Sequence, residues 1–434
     1  MTYAEAVARL TALRGGEHAG MRPGLERITG LLAALGNPEE RYTLVQVGGT
    51  NGKGTIAATL ATILKSAGRR VGLYTSPHLV SFRERIRVNA APIPEDAVAD
   101  GVEALGTLVA RFDATMFEAT TALALDHFAR EAVDVAVLEV GLGGRLDATT
   151  VGRPAATVVS RIDLDHEAVL GTTLAAIAAE KAAIIRSGVA LSAAQAPEVA
   201  EVIGRRAQAV GVPIRVEGRD LHVAVRRRSL AGQVLTCRGP GWTFDGLATR
   251  LAGTYQPSNA LLAVAAAREL GADEAAIRRG LARVQWPGRF QVIGREPTFV
   301  LDAAHNPAGA RALAASLHEY FPGQDITIII GVSRDKDAAS ILGTLAPLAR
   351  RMILTRARNP RAADPRTLAA VAPTAEITAS VTEALARARR TATPVVCVAG
   401  SVFVVGEALA EVSGGGDKPW TIENPADSIE SLFS

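Results

Sequence analysis

A glycine-rich segment between an apolar strand pattern and a helix pattern carries the strongest chemical signal in the sequence. Residues 48–55 read Gly-Gly-Thr-Asn-Gly-Lys-Gly-Thr. Because glycine lets backbone amides approach an anion and a helix N-terminus attracts negative charge, this segment predicts a phosphate-binding loop. Lys53 would lie near the outer phosphates and Thr55 on a magnesium ion, although Gly54 separates the two, unlike in the common P-loop. The alternative is an ordinary tight turn.

Acidic and imidazole side chains follow two other apolar strand patterns. Glu139 lies near the end of the pattern 133–140, and Asp165 and His166 follow the pattern 156–160. The carboxyl ends of parallel strands face the crevice where ligands bind, and Mg²⁺ needs only one or two protein carboxylates. Glu139 and His166 are therefore candidate metal ligands. The alternatives are a solvated acid at a strand end and a surface histidine.

Lysine is scarce, which makes each lysine informative. Only five of the 47 basic residues are lysines: Lys53, Lys65, Lys181, Lys336 and Lys418. Because arginine supplies most of the positive charge in this chain, the remaining lysines are expected more often at sites that need a compact ammonium or a nucleophilic amine. Lys181 lies among alanines in a helix pattern. It is either an ordinary snorkelling side chain or one with a lowered pKa that is open to modification, and the periodicity leaves both readings open.

Two further polar clusters follow strand patterns in the second half of the chain. Asp302, His305 and Asn306 come after an apolar run that begins at Phe299, and residues 335–337 read Asp-Lys-Asp after another. Each cluster is equally compatible with a ligand site and with ordinary turn chemistry.

The elements that must position these residues alternate between strand and helix patterns. This alternation predicts an α/β protein with a mostly parallel sheet, interrupted by an antiparallel meander between residues 214 and 251. A second alternation begins at Phe299 and predicts a smaller domain. We predict a larger domain over residues 1–288, a smaller one over 289–412 and a flexible tail over 413–434.

Composition excludes several classes of protein. The 434 residues are 48% hydrophobic and 21% charged, with a net charge of +3 and 4% aromatic residues. This balance is typical of a globular protein and argues against a nucleic-acid partner. The two cysteines match no metal or redox spacing, and the sequence shows neither a signal peptide nor a membrane span. We expect a cytoplasmic protein with inert buried thiols and no membrane partner.

Taken together, these motifs resemble one family. The segments that carry the resemblance are 49–55, 76–78, 117–118, 139–149, 165–166, 180–181, 286–290 and 302–307. In this order they resemble folylpolyglutamate synthase and the bifunctional dihydrofolate synthase, members of the Mur ligase superfamily, over about residues 24–406. The resemblance implies a P-loop ATPase domain over 1–288 and a Rossmann-like glutamate-ligase domain over 289–412. Tyr255 departs from the pattern, since the family commonly has histidine there.

The resemblance also implies an activity and partners. ATP would phosphorylate a folate carboxylate, and the amine of L-glutamate would displace phosphate to form an amide; dihydropteroate would be a second acceptor. The chain would be a monomer. ATP would be bound by Gly52, Lys53, Gly54, Thr55, Asn259, Arg289 and Asp302. Magnesium ions at two sites would be held by Thr55, Ser76, Glu139 and His166.

Further roles follow from the same resemblance. Lys53, Lys181 and His305 would act in catalysis, with Lys181 carbamylated. The substrates would be bound by Thr115, Met116, Phe117, Glu118, Leu146, Asp147, Ala148 and Ser401.

Two other functions stay open at this level. A Mur-type ligase acting on a cell-wall nucleotide precursor would use the same loop, although Pro77, Glu118 and the run 141–147 favour folate. A nucleotide-gated regulatory ATPase would leave Asp302 and His305 unexplained.

Overall fold

The computed structural model describes residues 1–14, 22–294, 296–390 and 393–413. These residues form two compact units. Of the described residues, unit 1 comprises those within Met1–Val223, Cys237–Asp245 and Ser258–Arg283, and unit 2 comprises those within Ala224–Thr236 and Gly246–Pro257 and those from Val284 onwards. Of the predicted tail, residues 414–434 lie outside the described residues, and Lys418 lies among them.

Unit 1 contains an eight-stranded sheet in the order β4-β3-β2-β5-β1-β6-β7-β8. Its pairs are parallel except that β3 runs antiparallel to β2 and β4. The predicted mostly parallel sheet is therefore confirmed. The strands are β1 Thr43–Gly48, β2 Val71–Tyr74, β3 Ile86–Val88, β4 Ala91–Pro92, β5 Val135–Glu139, β6 Pro154–Val159, β7 Val189–Ser192 and β8 Ile214–Val216.

The helix that follows β1 is apolar on most of its surface, so the fold buries it. Of its 14 residues, ten are buried, and it packs against β1, β2 and β5. A helix without a polar face is stable only inside a core. The first eight helices are α1 Tyr3–Thr11, α2 Glu26–Ala34, α3 Lys53–Ser66, α4 Glu95–Arg111, α5 Met116–Arg130, α6 Glu167–Leu170, α7 Leu174–Ala182 and α8 Pro197–Ala209.

The predicted antiparallel meander is a three-stranded sheet in the order β11-β10-β9. Its strands lie within the predicted range 214–251, and two helices follow them. The elements are β9 His222–Ser229, β10 Gly232–Gly239, β11 Trp242–Thr249, α9 Gln256–Glu269 and α10 Glu274–Arg283.

Unit 2 contains a six-stranded sheet in the order β12-β13-β17-β14-β15-β16. All neighbouring strands are parallel except β12, which pairs antiparallel with β13. The strands are β12 Gln291–Ile293, β13 Thr298–Asp302, β14 Ile326–Ile330, β15 Ala349–Leu354, β16 Glu376–Ile377 and β17 Val395–Ala399. The helices are α11 Pro307–Tyr320, α12 Ala338–Leu345, α13 Pro365–Leu368, α14 Val381–Arg389 and α15 Val402–Val412.

No helix in the described part of the chain combines the length and the apolar character needed to cross a bilayer. Both cysteines are buried and unpaired, as the sequence predicted.

Candidate functional site

The glycine-rich loop joins the end of β1 to the start of α3. Gly49 and Gly52 have φ angles of 126° and 94°, in the region that favours glycine. A Cβ atom on Gly49 would lie 2.1 Å from Ser160 Oγ, and one on Gly52 would lie 2.4 Å from Asn259 Oδ1. The loop is thus held tightly between the residue after β6 and helix α9, which brings Asn259 close to Gly52.

Two lysines converge on one carbonyl of this loop. Lys53 Nζ donates to the carbonyl oxygens of Gly49 and Thr50, at 3.2 and 3.0 Å. Lys181 Nζ, on α7, donates to the same Gly49 oxygen at 3.0 Å. Lys181 is only 4% exposed, so the interpretation of it as an ordinary snorkelling side chain is wrong. Scarcity of lysine had singled out both residues, and the fold brings them together.

The hydroxyl of Thr55 has the chemistry of a ligand. It lies in the first turn of α3, it is 1% exposed, and its Oγ1 is one of the buried side-chain atoms of the described residues that have no hydrogen-bond partner. Leaving a buried hydroxyl unsatisfied costs about 1–3 kcal/mol, so an orphan of this kind calls for a bound partner. A magnesium ion or a phosphate oxygen at the helix N-terminus fits that requirement.

The other predicted metal ligands lie at the ends of neighbouring strands. Because β5, β1 and β6 are adjacent, their carboxyl ends meet at one edge of the sheet. Glu139, the last residue of β5, is 6% exposed, and its Oε2 accepts the backbone N–H of Ser76 at 3.1 Å. His166 follows β6 with a φ angle of 53° and lies with its Nε2 3.8 Å from Asp165 Oδ1.

These groups suit magnesium better than a transition metal. Among the described residues there is no group of three or more His, Cys, Asp or Glu side chains that could hold a metal ion. Mg²⁺ keeps several waters and needs only one or two carboxylates besides hydroxyls and phosphate oxygens. The oxygen donors Thr55, Ser76 and Glu139 fit that pattern, and His166 would add one nitrogen ligand.

The residues predicted to bind the pteroyl group make hydrogen bonds and packing contacts within the protein. Thr115 caps α5. The Glu118 carboxylate accepts hydrogen bonds from the Thr115 backbone N–H at 2.8 Å and from Arg27 Nε at 3.0 Å. A Cβ on Gly141 would lie 2.4 Å from the ring of Phe117, so the two predicted segments are neighbours. Met116 and Ala148 are buried within the apolar core of unit 1.

Asp147 organises the turn after β5. Its carboxylate accepts the backbone N–H groups of Leu142 and Thr149, both at 2.9 Å, and the Thr149 hydroxyl at 2.5 Å. Burial raises the pKa of Asp147 above its ordinary value, against the effect of these hydrogen bonds. Leu146, beside it, is only partly buried.

The segment after β2 contains functional candidates that the sequence reasoning missed. Glu84 is 6% exposed and accepts the backbone N–H groups of Leu79, Val80 and Ser81 at 2.8–3.0 Å. It thereby fixes the loop that begins at Ser76. The spacing Ser81-x-x-Glu84 is a capping box, and that signal was available in the sequence.

Unit 2 has its own polar cluster around Asp302, the last residue of β13. Asp302 Oδ2 accepts the Tyr255 hydroxyl at 2.7 Å and the Phe290 N–H at 3.0 Å, and Oδ1 accepts the Ala304 N–H at 2.9 Å. Burial raises the pKa of Asp302, and burial also raises that of Tyr255. The carboxylate thus fixes the backbone at Phe290, the residue after Arg289.

The other predicted residues of unit 2 lie at strand ends and helix starts. His305 Nδ1 contacts the Ala303 carbonyl oxygen at 2.9 Å, and Ser401 caps α15 by accepting the Phe403 N–H at 3.2 Å. Asp337 caps α12, and Asp335 pairs with Arg361 at 2.8 Å. The turn interpretation therefore accounts for these two aspartates.

Comparison with known proteins identifies the class. Residues 47–267 match the Mur ligase middle domain, and residues 288–402 match the Mur ligase glutamate ligase domain. A Mycobacterium tuberculosis dihydrofolate synthase/folylpolyglutamate synthase is 38% identical over 381 residues, 81% of this chain and 77% of that protein. The crystal structure of a Mycobacterium tuberculosis folylpolyglutamate synthase complexed with ADP and AMPPCP has a TM-score of 0.88 at 32% identity, covering 96% of this chain and all of that one.

A longer relative matches as well. A probable bifunctional folylpolyglutamate synthase/dihydropteroate synthase from Haloferax volcanii is 41% identical over 429 residues, which is 94% of this chain and 50% of that protein. This chain therefore spans about half the length of that relative. The two domain matches define a Mur ligase. Within that class, the chain belongs to the folylpolyglutamate synthase/dihydrofolate synthase family, which confirms the resemblance found in the sequence.

Proposed function

We propose that the protein is an ATP- and magnesium-dependent ligase that joins L-glutamate to the carboxylate of a folate. The observation that carries this proposal is the loop at the start of α3, where Lys53 and Lys181 meet at Gly49 and the buried Thr55 hydroxyl lacks a partner. Family membership supplies the reaction class. The domain assignment is part of the proposal: ATP binding by residues 1–288, glutamate ligation by 289–412 and a tail over 413–434.

In the first step, an oxygen of the folate carboxylate attacks the γ-phosphorus of ATP, and ADP leaves. The amides of Gly52, Gly54 and Thr55 would bind the phosphates at the helix N-terminus, where the helix dipole favours anions. Lys53 would neutralise charge that develops on the transferred phosphoryl group. Magnesium held by Thr55, Ser76, Glu139 and His166 would supply further positive charge at the same oxygens.

In the second step, the amine of L-glutamate attacks the carbonyl carbon of the acyl phosphate. Phosphate leaves, and the nitrogen loses a proton to give the amide. A carboxylate is a poor acyl acceptor, so phosphorylation supplies the leaving group that the amide bond requires. We assign nucleotide contacts to Asn259, Arg289 and Asp302, a role close to ATP and glutamate to His305, and glutamate binding to Ser401.

The pteroyl group would be bound beside the turn after β5. The contact between Phe117 and Gly141 supports this assignment, since it joins the two segments that the family resemblance marks. The roles proposed there belong to Thr115, Met116, Phe117, Glu118, Leu146, Asp147 and Ala148. Dihydropteroate is proposed as a second acceptor, with the protein acting as a monomer in the cytoplasm.

We further propose that Lys181 is carbamylated. Its neutral amine would add to carbon dioxide, forming an N–C bond and releasing one proton, and the resulting carboxylate would face the metal site. Its position supports this, because Lys181 is 4% exposed and its Nζ lies 3.0 Å from the Gly49 carbonyl oxygen of the glycine-rich loop. Labelled carbon dioxide should give a carbamate NMR signal in the wild-type protein that is absent from Lys181→Gln; an identical spectrum for both would overturn the assignment.

The function is tested by supplying ATP, magnesium and L-glutamate with either dihydropteroate or tetrahydrofolate. Phosphate release is measured and products are identified by mass. Turnover with both acceptors would indicate a bifunctional enzyme, and turnover with tetrahydrofolate alone a dedicated folylpolyglutamate synthase. No ligated product with either acceptor would contradict the proposal and favour a cell-wall precursor as the substrate. ATP hydrolysis at a rate that does not depend on glutamate would favour a regulatory ATPase.

Lys53→Ala tests the mechanism. We expect the rate of ligation to fall by at least about 10²–10³-fold, because charge stabilisation at the phosphoryl group is lost. Lys65→Ala is the matched control, since Lys65 lies exposed on the same helix and donates to the Asn89 carbonyl oxygen. Full glutamate ligation by Lys53→Ala would contradict the assigned role.

A further inference from the structure

A basic cavity in unit 2 takes no part in the reaction described above. Its volume is about 610 Å³, within the range of roughly 300–1,000 Å³ that holds small-molecule ligands. Three of its ten lining residues are arginines, Arg334, Arg356 and Arg358, and one, Asp364, is acidic. The excess of positive charge indicates an anionic occupant.

The cavity lies where parallel strands end. Arg334 follows β14, and Arg356 and Arg358 follow β15. Since β13, β17, β14 and β15 are parallel neighbours in that order, their carboxyl ends form one edge of the sheet. The same edge carries Asp302 and Ser401. From β13 to β15 is three strand spacings, or roughly 14 Å at about 4.8 Å each.

The walls of the cavity are joined by hydrogen bonds. The Arg334 guanidinium donates to the Pro360 carbonyl oxygen, and its backbone N–H donates to the Arg361 carbonyl oxygen at 2.9 Å. The neighbouring acid Asp335 is paired with Arg361 at 2.8 Å. Within the described part of the chain, neither Arg356 nor Arg358 has an ion-pair partner. Both side chains are exposed, so their guanidinium groups are available to an anion, and the nearby Glu407 carboxylate is engaged by the backbone N–H of Arg358 at 2.6 Å.

We propose that this cavity binds the carboxylates of the γ-glutamyl tail of the folate substrate, an inference that rests on the proposed function. Each added γ-glutamyl residue contributes one more carboxylate, and guanidinium groups bind carboxylates through paired charge-assisted hydrogen bonds. A free glutamate carries an ammonium as well, which three arginines do not favour. The reacting carboxyl is the γ-carboxyl of the last residue of the tail, so the α-carboxylates along the tail are the groups that the cavity would bind.

The kinetic test compares tetrahydrofolate with its triglutamate in the full-length protein. For the double variant Arg356→Gln/Arg358→Gln, we expect KM for the triglutamate to rise about tenfold or more, as the loss of charge-assisted hydrogen bonds implies. KM for the monoglutamate and for L-glutamate should stay within about twofold, since neither needs the cavity. Arg350→Gln is the control, because Arg350 is exposed near the start of the same strand. Lysine at both positions should restore part of the affinity.

The outcomes separate the sources of the carboxylate. A rise in KM for L-glutamate alone would overturn the proposal and assign the cavity to the incoming amino acid. Equal rises in KM for both folates, or no rise for either, would also overturn it.

A binding test is independent of turnover. A free tetra-γ-glutamyl peptide should bind the wild-type chain and the Arg350→Gln variant but not the double variant. If no pteroyl acceptor is ligated, the proposed function fails. Peptide binding that is lost in the double variant would still support binding of γ-glutamyl carboxylates by the cavity. Absence of peptide binding by the wild type would overturn it.

Discussion

At the scale of single residues, Asp302 shows how hydrogen bonds stabilise a buried carboxylate in this protein. Asp302 is 4% exposed and its two oxygens accept three hydrogen bonds from within unit 2. Burial of a carboxylate is tolerated only when its oxygens are paired, since an unsatisfied buried polar group is costly. Tyr255 supplies one of these hydrogen bonds at the position where the family commonly has histidine. This makes Tyr255 a positioning residue for Asp302.

Tyr255→Phe should remove the hydrogen bond to Asp302 Oδ2 without changing the ring. We expect the free energy of unfolding to fall by about 1–3 kcal/mol, because one donor to a buried carboxylate is lost. KM for ATP should rise, since Asp302 also fixes the backbone beside Arg289. Urea unfolding and initial rates at varied ATP measure the two effects. Tyr3→Phe, in which the hydroxyl contact is 3.5 Å long, is the control. Unchanged stability and KM in Tyr255→Phe would contradict the assignment.

His78 predicts how stability depends on pH. Arg85 Nε donates to His78 Nδ1 at 2.9 Å, and burial together with the Arg85 charge lowers the pKa of His78 to about 3. Between about pH 6.5 and about pH 3 the unfolded chain binds a proton that the folded chain does not. Stability contributed by neutral His78 is therefore complete above about pH 6.5 and is lost as the pH falls through this window.

The measurement is urea unfolding at about pH 7.5 and about pH 5. We expect the decrease in unfolding free energy between the two to be smaller in His78→Gln than in the wild type, by at most about 1.4 kcal/mol per pH unit. His222→Gln, at an exposed position, should behave like the wild type. Equal decreases in all three proteins would show that His78 is not held neutral by its surroundings.

At the scale of elements, one close helix contact fixes α3, the helix that begins at the end of the glycine-rich loop. The loop ends where α3 begins, and α3 packs against α10 within unit 1. A Cβ on Gly280 of α10 would lie 2.5 Å from the backbone Cα of Ile63 and 2.9 Å from its N. Because the obstacle is backbone, no rotamer change can relieve it. The absence of a side chain at Gly280 therefore sets the distance between the two helices.

Gly280→Ala and Gly204→Ala form a matched pair. We expect Gly280→Ala to lower the free energy of unfolding by about 1–3 kcal/mol, since it overpacks the contact with α3. Gly204 lies in α8, and a Cβ added there would meet no atom within 4 Å, so Gly204→Ala should raise stability by about 0.5–1 kcal/mol through helix propensity. Urea unfolding of both variants measures the two changes in unfolding free energy. Equal effects of the same sign would contradict the packing argument.

At the scale of the whole molecule, each unit contains one buried thiol. Cys237, in unit 1, and Cys397, in unit 2, are both fully buried, and burial raises the pKa of Cys237 to about 12 and that of Cys397 as well. A thiol reagent reacts with the thiolate, so both cysteines should be inert while their unit is folded. Cys237 is therefore a reporter for the opening of the three-stranded sheet around β10, and Cys397 is a reporter for the opening of the unit 2 sheet around β17.

We expect neither thiol to react with a coloured disulfide reagent under native conditions and both to react in concentrated denaturant. Measured in Cys237→Ser and Cys397→Ser, the denaturant dependence of labelling gives the opening free energy around each remaining thiol separately. Rapid labelling of either single-cysteine variant without denaturant would show that its unit opens locally around that thiol.

Much of the fold followed from local pattern. Strand and helix periodicity placed the parallel sheets, the meander and the strand ends at Glu139 and Asp302, because the repeat of apolar residues depends only on near neighbours along the chain. The short strands β4 and β16 were not predicted, since two residues carry no periodicity. The capping box of Ser81 and Glu84 was readable but was missed.

The sequence by itself determined the kinds of group present: a glycine loop before a helix, lysines kept where arginine is the rule, and carboxylates at strand ends. Only the tertiary structure decided which of them meet. Lys181 reaches the carbonyl of Gly49 across 132 residues, and Tyr255 reaches Asp302 across 47. It also placed Met116 and Ala148 in the core of unit 1. The physical reason is that spacing along the chain fixes turns and helices, whereas contacts between distant residues depend on strand order, which is set by how apolar faces pack together.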